Sequence, residues 1–453
     1  MEVIVLGAGA SGLSAAILLA REHGARVTVY ERQLDLSQSD EESYPIGVNP
    51  RGLRTLAMVE PTMEVGDTSA KVEAWSIWEG SRRVALLPSG TVVATTRGHV
   101  VTELWRVAQQ TEGVTIRMGM NLRDVDLSSS SLTFESRHDG RKADETGVVE
   151  EVVNFSGKRL LDCTGCFSKV RPAVQNADPS LGVTTTPWRL HFRNLYTAPH
   201  PAQVSLDPKV HHIFTSAGIY AAVLKGSRWV FSLSANKERD SDCDWMLAEE
   251  STAGGIERLK AHLTQHCPAA LGMLEEEEYK RFFTRRTFTG QVVQLSRLHH
   301  GESILFLGDA AHSVFPATGE GINSALEDVS TLIEILASAK AQVGGDASAV
   351  HDLFASYNAA RIDDSYALTE YAAFLVGTEK ASVADRKRRQ VAMIMMIILT
   401  KLRIFSPTWS DKSFGRLAEQ RERYSVIQAR WRAQRDKVEP WAERLVRCFG
   451  RSK

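Results

Sequence analysis

Six residues, Gly7-Ala8-Gly9-Ala10-Ser11-Gly12, stand directly after the apolar run Val3–Leu6. They open a segment in which Leu13, Ala16, Ile17 and Ala20 recur at helical spacing. Glycine at the first position permits a tight turn, at the second it lets the backbone approach a pyrophosphate, and at the third it lets helix and strand pack closely. The free N–H groups of the helix start, reinforced by the helix dipole, then favour a phosphate. A second strand, Arg26 to Tyr30, ends at Glu31, the place for an acid that takes a ribose hydroxyl roughly 20 residues beyond the last glycine. Gly7, Gly9, Ser11, Gly12, Glu31 and its neighbour Arg32 are therefore candidate contacts for a dinucleotide.

A second group lies far down the chain. The strand Ser303 to Leu307 ends at Gly308, and Asp309 after it is placed to hydrogen-bond a chain of sugar hydroxyls. Ala310, Ala311 and His312 follow, then Pro316 and the turn Gly319-Glu320-Gly321-Ile322-Asn323, which opens another helix. That helix start is suited to stabilising negative charge on a reduced ring. Two glycine-rich helix starts separated by most of the chain suit one long dinucleotide held at both ends, and that ligand is FAD. The cofactor candidates here are Gly308, Asp309, Gly319, Gly321, Ile322 and Asn323, with Pro316, Gly321 and His312 as candidates for the flavin face. No Ser-His-Asp or paired-carboxylate arrangement stands out, so no firm catalytic side chain is assigned.

The elements that must position these groups begin as a βαβ unit, which calls for a parallel sheet. Residues 73–95 and 186–300 contain many short β-type runs, among them Tyr220–Leu224 and Trp229–Leu233, and predict an antiparallel sheet. From about residue 347 the pattern is helical, Arg-rich and nearly free of glycine. The expected fold is α/β plus α+β, in which a Rossmann-like FAD-binding domain of glutathione-reductase type occupies 1–72, 96–180 and 291–345. An antiparallel substrate domain is inserted at 73–95 and 181–290, and a helical region fills 346–453. The polar stretch Leu34–Glu42 is predicted as a loop.

With 453 residues, 54 Lys+Arg against 55 Asp+Glu and a net charge of -1, the chain lacks the strongly basic face of a nucleic-acid protein. Its 43% apolar and 8% aromatic content excludes wholesale disorder. Five cysteines in such a length are no disulfide framework, which suits a reducing, cytoplasmic setting. Cys163 and Cys166 form one C-x-x-C pair, but no second pair has zinc spacing, so no metal is expected. The start of the chain shows no basic leader. The longest apolar run, Val391–Leu399, is far shorter than the ~20 residues of a membrane span. It follows the basic cluster Arg386–Arg389, which leaves peripheral membrane contact open alongside a core helix.

On these two glycine turns the sequence resembles the FAD-dependent aromatic hydroxylases, of which p-hydroxybenzoate hydroxylase is the familiar member, over most of residues 1–345. Within them it is most similar to the kynurenine 3-monooxygenases, through Asn49-Pro50-Arg51-Gly52-Leu53, the segment Arg97–Leu104, Leu160–Arg171 and Glu327-Asp328. The resemblance implies that Arg51 and Arg97 contact the FAD phosphates or lie beside the flavin, and that Thr164-Gly165 borders the cofactor. It implies NADPH (or NADH) as reductant, molecular oxygen as co-substrate, and hydroxylation or epoxidation of an aromatic or other apolar small molecule through a flavin C4a-hydroperoxide. Departures limit the transfer: Thr164 replaces the family's aspartate, Ala317-Thr318 replaces its bulky aromatics, and Glu320 replaces its glutamine. The Gly-Glu-Gly turn is also similar to that of geranylgeranyl reductases, so a flavin-dependent reductase of isoprenoid double bonds is a competing expectation. A non-catalytic flavin-binding protein is another. Trp188, Phe192, Tyr220 and Trp229 are candidate pocket residues, His312 is expected to be structural, and His211-His212 and His299-His300 are expected at the surface or at strand ends.

Overall fold

A computed structural model of the protein describes residues 1–36, 43–61, 63, 71–136, 149–224, 227–236, 243–345, 350–376, 383–409 and 421–450. Most of the predicted loop at 34–42 lies outside the described residues.

The glycine turns hang from one six-stranded sheet. Its order across the sheet is His299–His300, Ile304–Phe306, Arg159–Asp162, Glu2–Leu6, Arg26–Tyr30 and Val114–Arg117. All neighbours are parallel except the first pair. Val3, Ile4, Val5 and Leu6 are all buried, as a strand covered on both faces must be. The helix Ala10–His23 returns the chain between the first two strands and packs against the helices Arg97–Gln109 and Gly321–Gln342. Beside this layer, Met120–Asp126, Ser131–Ser136 and Val149–Asn154 form a three-stranded antiparallel sheet.

A seven-stranded sheet gathers Pro45–Val48, Lys71–Glu79, Arg82–Thr96, Leu190–Tyr196, Val210–Phe214, Ile219–Leu224 and Arg228–Asn236. It corrects the antiparallel expectation in one place: Val210–Phe214 runs parallel to Lys71–Glu79. Between the short β runs predicted in 186–300 the sheet's strands give way to helices that the sequence reading did not single out, Asp244–Leu247, Ala253–His266, Pro268–Leu271 and Glu276–Thr284. Leu259, Leu263, Phe282 and Phe283 from that helical stretch bury themselves against Trp229, Phe231 and Leu233 of the sheet. Trp229 is therefore core, not pocket. His211 and His212, expected at the surface, are both buried in mid-strand. The Tyr220 hydroxyl meets His211 Nδ1 at 2.7 Å, and Trp78 Nε1 donates to His212 Nδ1 at 3.2 Å. Burial disfavours the imidazolium and pushes His211 down to about 3.

The helices Leu353–Val376, Val383–Lys401 and Tyr424–Gly450 build the C-terminal layer. Leu368, Tyr371, Met396, Tyr424 and Trp431 pack there with Val314 and Phe315 from the second glycine-rich segment. In the apolar run 391–399, Ala392 and Met396 face this core while Ile394 and Ile398 are exposed. No helix among the described residues is long and apolar enough to cross a membrane.

Candidate functional site: a dinucleotide cleft with a buried charged flank

At the first turn Gly7 has φ +93°, and its amide donates to the Tyr30 carbonyl at 2.8 Å. A Cβ there would meet the Cys163 carbonyl oxygen at 2.6 Å, and one on Gly12 would meet the Gly7 oxygen at 2.0 Å. Both positions exclude a side chain for internal reasons. Gly9 differs. Its φ is an ordinary -75°, and a Cβ would approach nothing closer than the Arg97 guanidinium at 3.8 Å. The space in front of Gly9 is open, lies at the uncapped start of Ala10–His23, and has a cation on its far side. Those are the requirements of a pyrophosphate cradle, so the residues present fit the predicted group. Glu31 braces the turn: its carboxylate accepts from the Ala8 amide at 2.8 Å and from the Gln33 amide at 2.9 Å. Arg32 is exposed.

Two predicted contacts are spent inside the protein. The Ser11 hydroxyl faces the Ala325 carbonyl at 3.3 Å and would collide with any Cβ on Gly308. It joins the two glycine segments to each other. Thr164 donates both its amide, at 3.0 Å, and its hydroxyl, at 2.6 Å, to the buried Asp162 carboxylate, whose other oxygen accepts from Ser168 at 2.5 Å. Burial pushes Asp162 up and these donors oppose it. Gly165 takes φ +87° at the loop tip. Arg171, which sequence reasoning missed, ties that loop to the second segment through the carbonyls of Ala310, at 2.7 Å, and Cys166.

Asp309 opens the second segment. Its carboxylate is open to solvent, yet it sits in a recess walled by protein, with Arg97, Arg171 and His312 near enough to act on its charge. The enclosure raises its pKa and the cations oppose the rise. Tyr44 stands beside Asp309 and Arg97 and leads to an aromatic wall. Its ring centroid is 5.9 Å from that of Phe192 and 5.2 Å from that of Phe288, and the latter two stack at 5.1 Å. Trp188 covers Gly290, which follows Phe288 closely in sequence and where a Cβ would come within 3.0 Å of the Trp188 ring.

Behind the turn at 319–323 lies a cluster of charges that the sequence barely signalled. Asp328, 0% exposed, accepts from the Gly308 amide at 2.9 Å, from His312 at 2.6 Å, and from Arg361 Nη2 at 2.8 Å. His312 and Arg361 hold Asp328 down at about 2. Arg361 also pairs with Glu327 at 2.9 Å, and the other oxygen of Glu327 takes Arg51 at 2.6 Å. Glu320 accepts from Asn49 Nδ2 at 2.9 Å and from the Tyr424 hydroxyl at 2.6 Å. These contacts engage three of the predicted residues inside the protein. Arg51 is 3% exposed, paired with Glu327 and stacked on Tyr424 at 4.0 Å, so its charge is already engaged inside the protein. A buried guanidinium requires such a partner. Asn323 spends its amide on the Asn49 amide and the Gly47 and Gly319 carbonyls. His312 is held by Asp328 and is structural, as expected. Gly321 stays open, with nothing within 4 Å of a would-be Cβ, and Pro316 and Gly319 are exposed beside it.

Fold and glycine turns together are those of an FAD-binding protein. The chain belongs to the family described as FAD binding domain, which it matches over residues 1–372. Kynurenine 3-monooxygenase of Legionella pneumophila (strain Corby) is 23% identical over 351 residues, 74% of this chain and 72% of the relative. That of Chaetomium globosum is 22% identical over 496 residues, 99% and 96% of the two chains. Among solved structures, 2-methyl-3-hydroxypyridine-5-carboxylic acid oxygenase covers 82% of this chain, and 89% of its own, at TM-score 0.63 and 18% identity. The p-nitrophenol 4-monooxygenase of Pseudomonas putida covers 94%, and 99% of its own, at 0.64 and 16%. At such identities these structures establish the fold.

Proposed function

We propose that the protein is an FAD-dependent, NAD(P)H-consuming monooxygenase that hydroxylates or epoxidises an aromatic or other apolar small molecule. One set of observations carries the reading: Arg97 stands opposite the open Gly9, Tyr44 of the wall Tyr44–Phe192–Phe288 stands beside both Arg97 and Asp309, and the Ser11–Ala325 hydrogen bond ties the first helix start to the helix that begins at the open Gly321. FAD supplies the electron and oxygen chemistry when bound. The chain's own residues do the rest. The uncapped first turn of Ala10–His23 and Arg97 hold the phosphates, Asp309 takes sugar hydroxyls, and the start of Gly321–Gln342 favours negative charge on the ring. The aromatic wall receives the substrate and keeps water away. On this reading the six-stranded sheet and its antiparallel companion form a glutathione-reductase-type Rossmann domain, and the seven-stranded sheet is the inserted substrate domain. The five cysteines form no disulfide among the described residues, which suits a cytoplasmic setting.

The purified protein is expected to be yellow, with FAD released on denaturation. A screen of aromatic and isoprenoid compounds for accelerated NADPH oxidation, followed by product analysis under labelled dioxygen, tests the reaction. One labelled oxygen atom in the product supports it. A reduced product formed without oxygen uptake would instead indicate a reductase, and a flavin that NADPH never bleaches would indicate a binding protein.

A further inference from the structure

Glu320 is the residue immediately before the open helix start, and the described structure surrounds it from four sides. It occupies the N-cap position of Gly321–Gln342, with its own amide donating to Thr318 Oγ1 at 3.1 Å. Its side chain turns inward and is 3% exposed. Both carboxylate oxygens face Asn49 Nδ2, at 2.9 and 3.1 Å, and one also accepts from the Tyr424 hydroxyl at 2.6 Å. The titratable and charged groups facing it are Arg51 from Pro50–Val59, Glu327 from its own helix, Tyr371 from Leu353–Val376 and Tyr424 from the last helix. Arg51 is already paired with Glu327 and makes no hydrogen bond to Glu320.

We infer that Glu320 is a positioning residue that takes up a proton when negative charge accumulates at the start of Gly321–Gln342. The two-electron reduction of a flavin held there is thereby coupled to one proton more than the flavin itself consumes. The physical reason is placement. Glu320 is joined by one peptide bond to the helix start that would face an anion, and although its inward carboxylate makes no hydrogen bond to the helix N–H groups, two negative charges gathered at one helix end oppose each other. Protonating the carboxyl relieves that opposition without removing Glu320 from its hydrogen bonds, because a carboxylic acid still accepts through its carbonyl oxygen. Burial pushes the Glu320 carboxyl up to about 7, so the proton exchanges near neutrality. In balance, two electrons and one proton from a hydride donor, or from dithionite and water, reduce the ring to its anion. One further proton from solvent forms the O–H bond of Glu320, and no bond breaks in the protein. The inference rests on the flavin reading of the cleft and not on oxygenation, so it survives if the protein proves to be a reductase.

The test is the midpoint potential of the bound flavin as a function of pH, in the purified holoprotein and its variants. For a two-electron couple one coupled proton gives about 30 mV per pH unit, and two give about 60 mV. The wild type is expected to steepen from the first slope to the second on crossing the range where Glu320 titrates, and Glu320→Gln is expected to remain near the first. Tyr424→Phe removes one donor to the carboxylate, so its steep region should move to higher pH by about one unit. That variant keeps the test decisive if Glu320→Gln fails to retain flavin. Equal slopes in wild type and Glu320→Gln, or an unmoved inflexion in Tyr424→Phe, would overturn the inference. Failure to bind FAD at all would be seen first in the spectrum and would refute the flavin reading instead.

Discussion

The two glycine turns are tied to each other through Ser11 and the Ala325 carbonyl but are built by opposite means. The first, at 7–12, is nearly all backbone: its tight contacts are Gly7 to the Cys163 carbonyl and Gly12 to the Gly7 carbonyl, with Glu31 as the main side-chain brace. The second, at 308–323, is held by Glu320, Glu327 and Asp328 of its own turn and helix together with side chains from three remote segments, Arg51, Arg361 and Tyr424. A phosphate site that asks only for N–H groups can be encoded in six neighbouring residues. A turn that must stay open beside a buried charge cluster needs its charges balanced from elsewhere.

The contrast can be broken hardest at Asp328. Asp328→Ala leaves His312 and the Gly308 amide without this acceptor and strips Arg361 of its closest one, and a buried partner lost in this way typically costs about 3–5 kcal/mol. Chemical denaturation should show that loss in apo-protein and holoprotein alike. A smaller cost, about 1–3 kcal/mol of overpacking, is expected for Gly12→Ala, where the new Cβ meets the Gly7 oxygen. Gly9→Ala should melt within about 0.5 kcal/mol of wild type and yet bind FAD weakly, because its methyl enters only the cradle. Equal melting losses in the two glycine variants would show that the first turn is not backbone-limited as described.

Stability against pH sharpens the second turn. Glu320 is raised from 4.5 to about 7, so its contribution is complete below pH 4.5 and is lost as the pH rises through about 7. Asp328 is lowered from 3.8 to about 2, so its contribution is present above pH 3.8 and is lost as the pH falls through about 2. Melting temperatures of wild type and Glu320→Gln across this range should diverge at the alkaline end in favour of the variant. The smallest effect belongs to Thr164→Val, which removes one of three donors to Asp162 and should cost about 1 kcal/mol of stability. Its NADPH dependence should match that of wild type. A changed dependence with unchanged melting would return Thr164 to the cofactor.

What the sequence made legible follows the same division. The strand–turn–helix at 3–20, Glu31 and the strand into Gly308 could be read because each is contiguous. Arg97 was placed by resemblance, and the structure sets it opposite Gly9. Arg51 was placed by the same resemblance, and its pairing with Glu327 is invisible until the chain folds. Asp162 and Arg171 lay within a recognised segment, yet a lone acid and a lone arginine carry no spacing signal. The buried pair His211-His212 looked polar and therefore external, because the tyrosine and tryptophan that satisfy them come from neighbouring strands.

The order of strands in the six-stranded sheet has a cost in time. Glu2–Leu6 lies at the centre, and one of its neighbours, Arg159–Asp162, leaves the ribosome well over a hundred residues later, with Ile304–Phe306 later still. At about 5–20 residues per second, the apolar edge of Val3–Leu6 waits roughly 8–30 s for the partner that covers it. Arg51 waits longer for Glu327. During synthesis the chain thus carries an uncovered strand edge and an uncompensated buried-to-be charge, the condition in which chaperones are engaged and in which a slowed or truncated translation product would aggregate.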